Sequence, residues 1–99
     1  MNLNEIIKLR RNVKPKLFTG DLIPDALVTE ILSTANWAPT HRYTEPWRFV
    51  VFSGASLISL AEFQADLYKS STPVDLYKEL MYTKLKTTPL LASHIIALV

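Results

Sequence analysis

The stretch that decides the fold is Ile23–Phe52, IPDALVTEILSTANWAPTHRYTEPWRFVVF. Pro24 and Asp25 suit a first helical turn, where a missing N–H costs nothing and a carboxylate meets the positive end of the dipole. Leu27, Val28, Ile31, Leu32 and Ala35 then fall on one apolar face. Pro39 stops that helix, because the residue before a proline avoids the helical region. From Trp47 to Phe52 the chain reads as a strand buried on both faces and closed by Ser53-Gly54. Between the two lies a loop holding His41, Arg42, Tyr43 and Glu45. Merely turning the chain requires none of that chemistry, so the loop is a candidate contact surface.

Upstream, Asn2 and Glu5 have the spacing of a capping box, which opens a short helix through about Arg10. Leu3, Ile6 and Ile7 form its apolar series, and Arg10 is the next member. A guanidinium on a core-facing stripe needs an anionic partner, and no acidic residue lies within a turn on that face. A bound phosphate or carboxylate would supply one, with Lys14 as a second cation farther along. Arg10-Arg11-Asn12-Val13-Lys14 also fits a solvated helix end, where basic residues complement the dipole.

Residues 12 to 23 read as extended or irregular, with a turn signal at Thr19-Gly20-Asp21. Downstream, a third helix is expected over about Ser56–Tyr68, burying Leu57, Leu60, Ala61, Leu67 and Tyr68. A Ser70–Pro73 loop precedes a more polar helix over about Asp75–Lys86, which Pro89 ends. Ser93–Val99 is a second buried strand. The order α-α-β-α-α-β implies a mixed α/β sheet layered with helices. Two such strands do not make a stable sheet alone. Residues 1–99 are therefore expected to be a single domain that forms the N-terminal portion of something larger.

Of the 99 residues 48% are apolar and 20% charged, which is globular and speaks against disorder. No cysteine is present, so neither a disulfide framework nor a thiolate metal site is available. No apolar run approaches the roughly 20 residues of a membrane span, and the start Met-Asn-Leu-Asn-Glu lacks the pattern of a signal peptide. A soluble cytoplasmic protein is the expectation. The net charge of +2 is small and its contributors interspersed, which disfavours a nucleic-acid footprint. Gly20 and Gly54 are the only glycines, so no dinucleotide fingerprint, phosphate-binding P-loop or nucleophile elbow exists. His41 has no carboxylate at ligand spacing. His94, the second histidine, reads as a packed or hydrogen-bonded residue at a strand start.

Together, the segments IIKLRRNVKPKLF, IPDALVTEILSTANWAPTHRYTEPWRFVVF and ASHIIALV closely resemble the N-terminal half of the FMN-dependent nitroreductase family, in its small single-domain branch. That family opens with a helix ending Arg-Arg-Ser-x-Arg/Lys. It continues with a helix running into Ala-Pro-Ser-x-x-Asn-x-Gln-Pro-Trp and a strand. The resemblance is good over about residues 4 to 54 and looser beyond.

What it implies is an α+β, three-layer α-β-α sandwich whose sheet is completed by a C-terminal half and a dimer partner. Arg10 matches the arginine holding the FMN phosphate and ribityl region, and Arg11 lies beside it in the motif. Asn12 replaces the usual serine. Lys14 matches the basic residue near the flavin pyrimidine carbonyl, where a cation stabilises charge developing at N1 and O2. Pro39, Thr40, His41 and Tyr43 occupy the loop that crosses a dimer interface to the other subunit's FMN. Tyr43 stands where many relatives have asparagine, and Glu45 where many have glutamine. Lys86 is assigned to the lysine that many relatives place toward the flavin. The implied activity is ping-pong hydride transfer from NAD(P)H through FMN to a nitroaromatic, quinone or related small-molecule acceptor, in a homodimer. A non-catalytic flavin-binding or interaction module is the alternative.

Overall fold

The computed structural model describes residues 1–38 and 48–99. Its elements follow the expected order: helices α1 (Leu3–Leu9) and α2 (Asp25–Ala35), strand β1 (Phe49–Ser53), helices α3 (Ala55–Ser71) and α4 (Glu79–Thr87), and strand β2 (His94–Leu98). Two 3-10 turns, Pro15–Leu17 and Thr88–Leu91, precede α2 and β2. The class is α+β. Expectations about Pro39 as a helix stop and Trp47 as a strand start lie outside the described residues.

Strands β1 and β2 pair antiparallel, from Phe49 opposite Leu98 to Ser53 opposite His94. The Val99 N–H extends the ladder to the Arg48 carbonyl at 2.8 Å. Gly54 turns the chain out of β1 with φ +54°, a conformation that side-chain-bearing residues avoid. Ser56 Oγ then accepts from the Ser53 N–H at 2.7 Å and donates to the Ser53 carbonyl at 2.8 Å. This fixes the entry to α3.

Helix α3 carries the core. Leu57, Ala61 and Ala65 are buried, and Leu60, Gln64 and Tyr68 are half-buried, so covered positions recur at helical spacing. The small alanines let α4 approach closely, and Gln64 Nε2 donates to the Leu85 carbonyl at 2.6 Å. Pro89 is buried against this pair and turns the chain from α4 toward β2. Leu67, expected on the covered side, is exposed, because its place on the stripe is taken by Gln64 and Ala65.

Several boundaries differ from expectation for local reasons. Helix α2 ends at Ala35, since the next amides bond three residues back (Trp37 to Thr34, Ala38 to Ala35) and tighten the turn. Helix α3 outlasts Tyr68, where Ser70 and Ser71 donate to the Leu67 carbonyl. Helix α4 begins only at Glu79, because the Pro73 carbonyl draws in the amides of Leu76 and Tyr77 as a separate turn.

Two expectations about burial are corrected. The strands are not covered on both faces: Val50, Val51, Ile96 and Leu98 are exposed. Helix α1 forms with its capping box, yet it has no buried residue, so Arg10 is not held on a core-facing stripe. The described residues do not supply a surface to cover that helix. A radius of gyration of 17.0 Å says the same, since a compact chain of this length has about 13 Å.

The alanine contact carries a test. Replacing Ala65, which is fully buried, by leucine is expected to overpack the α3–α4 seam and destabilise by about 1–3 kcal/mol. Urea unfolding reads this as a lower midpoint at unchanged slope.

Candidate functional site

The cationic segment begins where α1 ends. Arg10 is the C-cap residue, its N–H bonded to the Ile6 carbonyl at 3.1 Å and its side chain exposed. Arg11 folds back instead: Nη1 donates to the Lys8 carbonyl at 2.7 Å and to the Arg10 carbonyl at 2.8 Å. It thereby satisfies carbonyls at the negative end of the helix. Asn12 is exposed and Lys14 opens the 3-10 turn in extended conformation. Among the described residues, no carboxylate pairs with Arg10, Arg11 or Lys14.

From Lys14 the chain is pinned twice. The turn Pro15–Leu17 packs on the turn Thr88–Leu91. Beyond Gly20 (φ +87°), the Ile23 N–H donates to Ser93 Oγ at 2.7 Å. His94 meets Ser93 Oγ through Nδ1 at 2.8 Å and Asp25 Oδ1 through Nε2 at 2.7 Å. His94 is thus the hydrogen-bonded residue its sequence position suggested. Sequence reasoning gave no role to Ser93 and read Asp25 only as a helix-start acid. Their partners lie about seventy positions away, where no local pattern reports them.

A cleft of about 570 Å³ opens between these anchors, with apolar walls from Val13, Leu17, Phe18, Val28, Ile31 and Ile96. A second, of about 420 Å³, lies on the other side of Phe18 against Met81, Leu85 and Pro89. Arg10, Arg11, Asn12, Lys14 and Lys86 line neither cleft. The first four stay together as a contiguous exposed run. Lys86 sits on α4, its Nζ 5.8 Å from the centre of the Tyr82 ring, with Lys69 Nζ at 5.5 Å. Pro39, Thr40, His41 and Tyr43 lie outside the described residues.

Around Lys86 the tyrosines tie α4 to α3. Tyr82 donates to Asp66 Oδ1 at 3.2 Å, Tyr68 and Tyr77 stack at 5.5 Å, and Tyr77 donates to Glu79 Oε2 at 2.7 Å. The Glu79 bond favours the neutral phenol and, with desolvation, pushes Tyr77 up to about 12. Among the described residues, no three His, Cys, Asp or Glu side chains are grouped to hold a metal. No helix among them is long and apolar enough to cross a membrane.

The description "Nitroreductase family" matches residues 7–98, from within α1 to the end of β2. This chain belongs to the nitroreductase family. A relative in Bacillus subtilis (strain 168), named "Putative NAD(P)H nitroreductase YfhC", is 39% identical over 72 residues, which are 72% of this chain and 36% of that protein. The chain therefore aligns with well under half of that relative's length. As a nitroreductase-family chain, it keeps the basic run Arg10–Lys14 inside the matched region.

The Tyr77–Glu79 pair yields a pH prediction. Because Tyr77 titrates above its ordinary value of 10.0, the bond contributes fully below pH 10 and is lost as pH rises through about 12. In Glu79→Gln, the Tyr77 ring carbon shifts followed by NMR are expected to titrate closer to 10.0. An unchanged midpoint would show that Glu79 is not the cause.

Proposed function

We propose that the protein is an FMN-dependent oxidoreductase that uses NAD(P)H to reduce nitroaromatic, quinone or related acceptors. The observation that carries this is a basic segment within the family match whose Arg10 and Lys14 have no carboxylate partner among the described residues. Two exposed, uncompensated cations on a short run fit an elongated anion such as FMN, because charge-assisted bonds to phosphate are the strong ones. Arg10 holds the phosphate and ribityl region, with Asn12 as a neutral hydrogen-bonding neighbour. Arg11, drawn onto the end of α1, orients the motif and adds positive potential. Lys14 places its charge toward the pyrimidine side, and Lys86 supplies a further cation from α4. The chemistry FMN supplies when bound is acceptance of a hydride from NAD(P)H and its delivery to the acceptor in a second half-reaction.

The family likeness supports a homodimer, with Pro39, Thr40, His41 and Tyr43 reaching the flavin of the other subunit. In this reading residues 1–99 are the N-terminal portion of one three-layer domain, and the protein works in the cytoplasm. The apolar stripe of α1, exposed in the single chain, is surface that the rest of such an assembly covers.

The test is FMN titration of the intact protein by flavin fluorescence, beside Arg10→Ala and Lys14→Ala. Each substitution is expected to weaken binding about tenfold or more, some 1.4 kcal/mol, without altering far-ultraviolet circular dichroism. His41→Ala with Tyr43→Ala is expected to lower FMN retention or dimer stability more than helical content. A colourless wild-type protein that takes up no added FMN defeats the reading. Flavin bound with no oxidation of NAD(P)H would instead favour a non-catalytic flavin-binding module.

A further inference from the structure

Four residues near one corner of the sheet are bonded in series, and with a neutral imidazole their chemistry fixes the direction of each bond. The Ile23 amide has only a proton to offer, so Ser93 Oγ accepts from it at 2.7 Å. Asp25 Oδ1, a carboxylate oxygen, can only accept, so His94 Nε2 carries a proton and donates to it at 2.7 Å. In the neutral ring Nδ1 is then the acceptor, and the Ser93 hydroxyl donates to it at 2.8 Å. The series runs from amide to serine to histidine to carboxylate, with no donor or acceptor duplicated. It joins residues 23 and 25, at the entry to α2, to residues 93 and 94, at the start of β2.

Burial divides the labour within it. The His94 side chain is 8% exposed, whereas that of Asp25 is 88% exposed. Water can replace His94 as a partner of Asp25, but it reaches the imidazole poorly. Removing Asp25 or Ser93 therefore strands a largely covered polar nitrogen. Asp25 is itself favoured at the first turn of α2, where Pro24 provides no side-chain cap. The carboxylate thus answers the helix end and the histidine together.

Serine, histidine and aspartate in bonded order also form the outline of a hydrolytic triad. Here the ring is turned the other way, with Ser93 on Nδ1 and Asp25 on Nε2, whereas in such a triad Nε2 faces the serine and Nδ1 the aspartate. Ser93 Oγ also accepts from the Ile23 amide. The arrangement is built to hold, not to attack.

What it holds is the segment bearing the basic run. Lys14 immediately precedes the packed turn Pro15–Leu17, and the chain from there to Ile23 spans the larger cleft. With Ile23 clasped, that span is tethered at both ends, and fewer conformations compete with the one that presents the cations. We propose that His94 is a positioning residue: with Ser93 and Asp25 it clasps the cation-bearing segment to β2 and so raises the protein's affinity for FMN. This rests on the flavin reading above, and its test separates the two.

The intact protein is compared with Ser93→Ala, His94→Ala, Asp25→Ala and Asp25→Asn, reading Ile23 amide exchange, the His94 ring tautomer by nitrogen NMR, and FMN affinity. The wild type is expected to show the Nε2–H tautomer. Ser93→Ala, His94→Ala and Asp25→Ala should speed Ile23 exchange about tenfold and weaken FMN about fivefold. Asp25→Asn should restore both, because its amide oxygen still accepts from Nε2–H. Should His94→Ala fail to fold, the exposed Asp25 pair decides the matter. Unchanged Ile23 exchange in Ser93→Ala overturns the clasp, as does labelling of Ser93 by a fluorophosphonate. Faster exchange with undiminished FMN affinity overturns the positioning role. A wild type that binds no FMN defeats the flavin reading and the positioning role with it, while Ile23 exchange still decides whether the clasp exists.

Discussion

The antiparallel pairing of Phe49–Ser53 with His94–Leu98 is the constraint on which the rest of the chain depends. Everything between, residues 54–93, must leave the sheet at Gly54 and return in one register. Helix α3 makes this possible by presenting alanine at positions 61 and 65, so that α4 lies close and Gln64 reaches the Leu85 carbonyl. Buried Pro89 then converts the end of α4 into the turn that feeds β2. A slip of one residue in the pairing would turn His94 to the opposite face of the sheet. It would separate His94 from Asp25 and release the segment that precedes α2. Strand register, helix packing and the placement of the basic run are thus one problem.

The covered interior is small. Among the described residues, Val28, Leu57, Ala61, Ala65 and Pro89 are the buried apolar ones, while Leu3, Ile6, Ile7, Leu27 and Ile31 remain in contact with water. At about 25 cal/mol per Å² of apolar surface, such stripes are a considerable unused driving force. They lie on α1 and α2, the helices that flank the basic run. The environment of Arg10 is therefore set by whatever covers α1. An exposed guanidinium costs nothing to leave unpaired, but one enclosed beneath a second surface needs an anion.

What could be read from the sequence was what depends on neighbours a few residues apart. Asn2 and Glu5 signalled a capping box and formed one. Leu57 and Ala61 marked the covered side of α3, and Pro89 ended α4. The misread features depend on competition or distance. Arg10 continued the apolar period of α1, yet period shows only which residues share a face, not whether anything covers it. The start of α4 was lost to the Pro73 carbonyl, which captures two amides ahead of it. At the site, the basic run could be read because its members are contiguous. The clasp could not, because Ile23 with Ser93 and Asp25 with His94 are joined only after the chain has closed its sheet.

The division of work between Arg10 and Arg11 follows from the same geometry. A helix ending in consecutive arginines has two guanidinium groups and one set of unsatisfied carbonyls. Arg11 takes them, bonding to the Lys8 and Arg10 carbonyls. Once it has done so, Arg10 has no intrahelical use, and a non-helical Asn12-Val13 leads from it to Lys14. One cation stiffens the end of the helix, and the two on either side of it have no carboxylate partner among the described residues. Removing Arg11 would therefore disturb Arg10 through the backbone, whereas removing Arg10 would leave the helix end intact. Adjacent residues of one type thus serve different ends, and only the hydrogen bonds distinguish them.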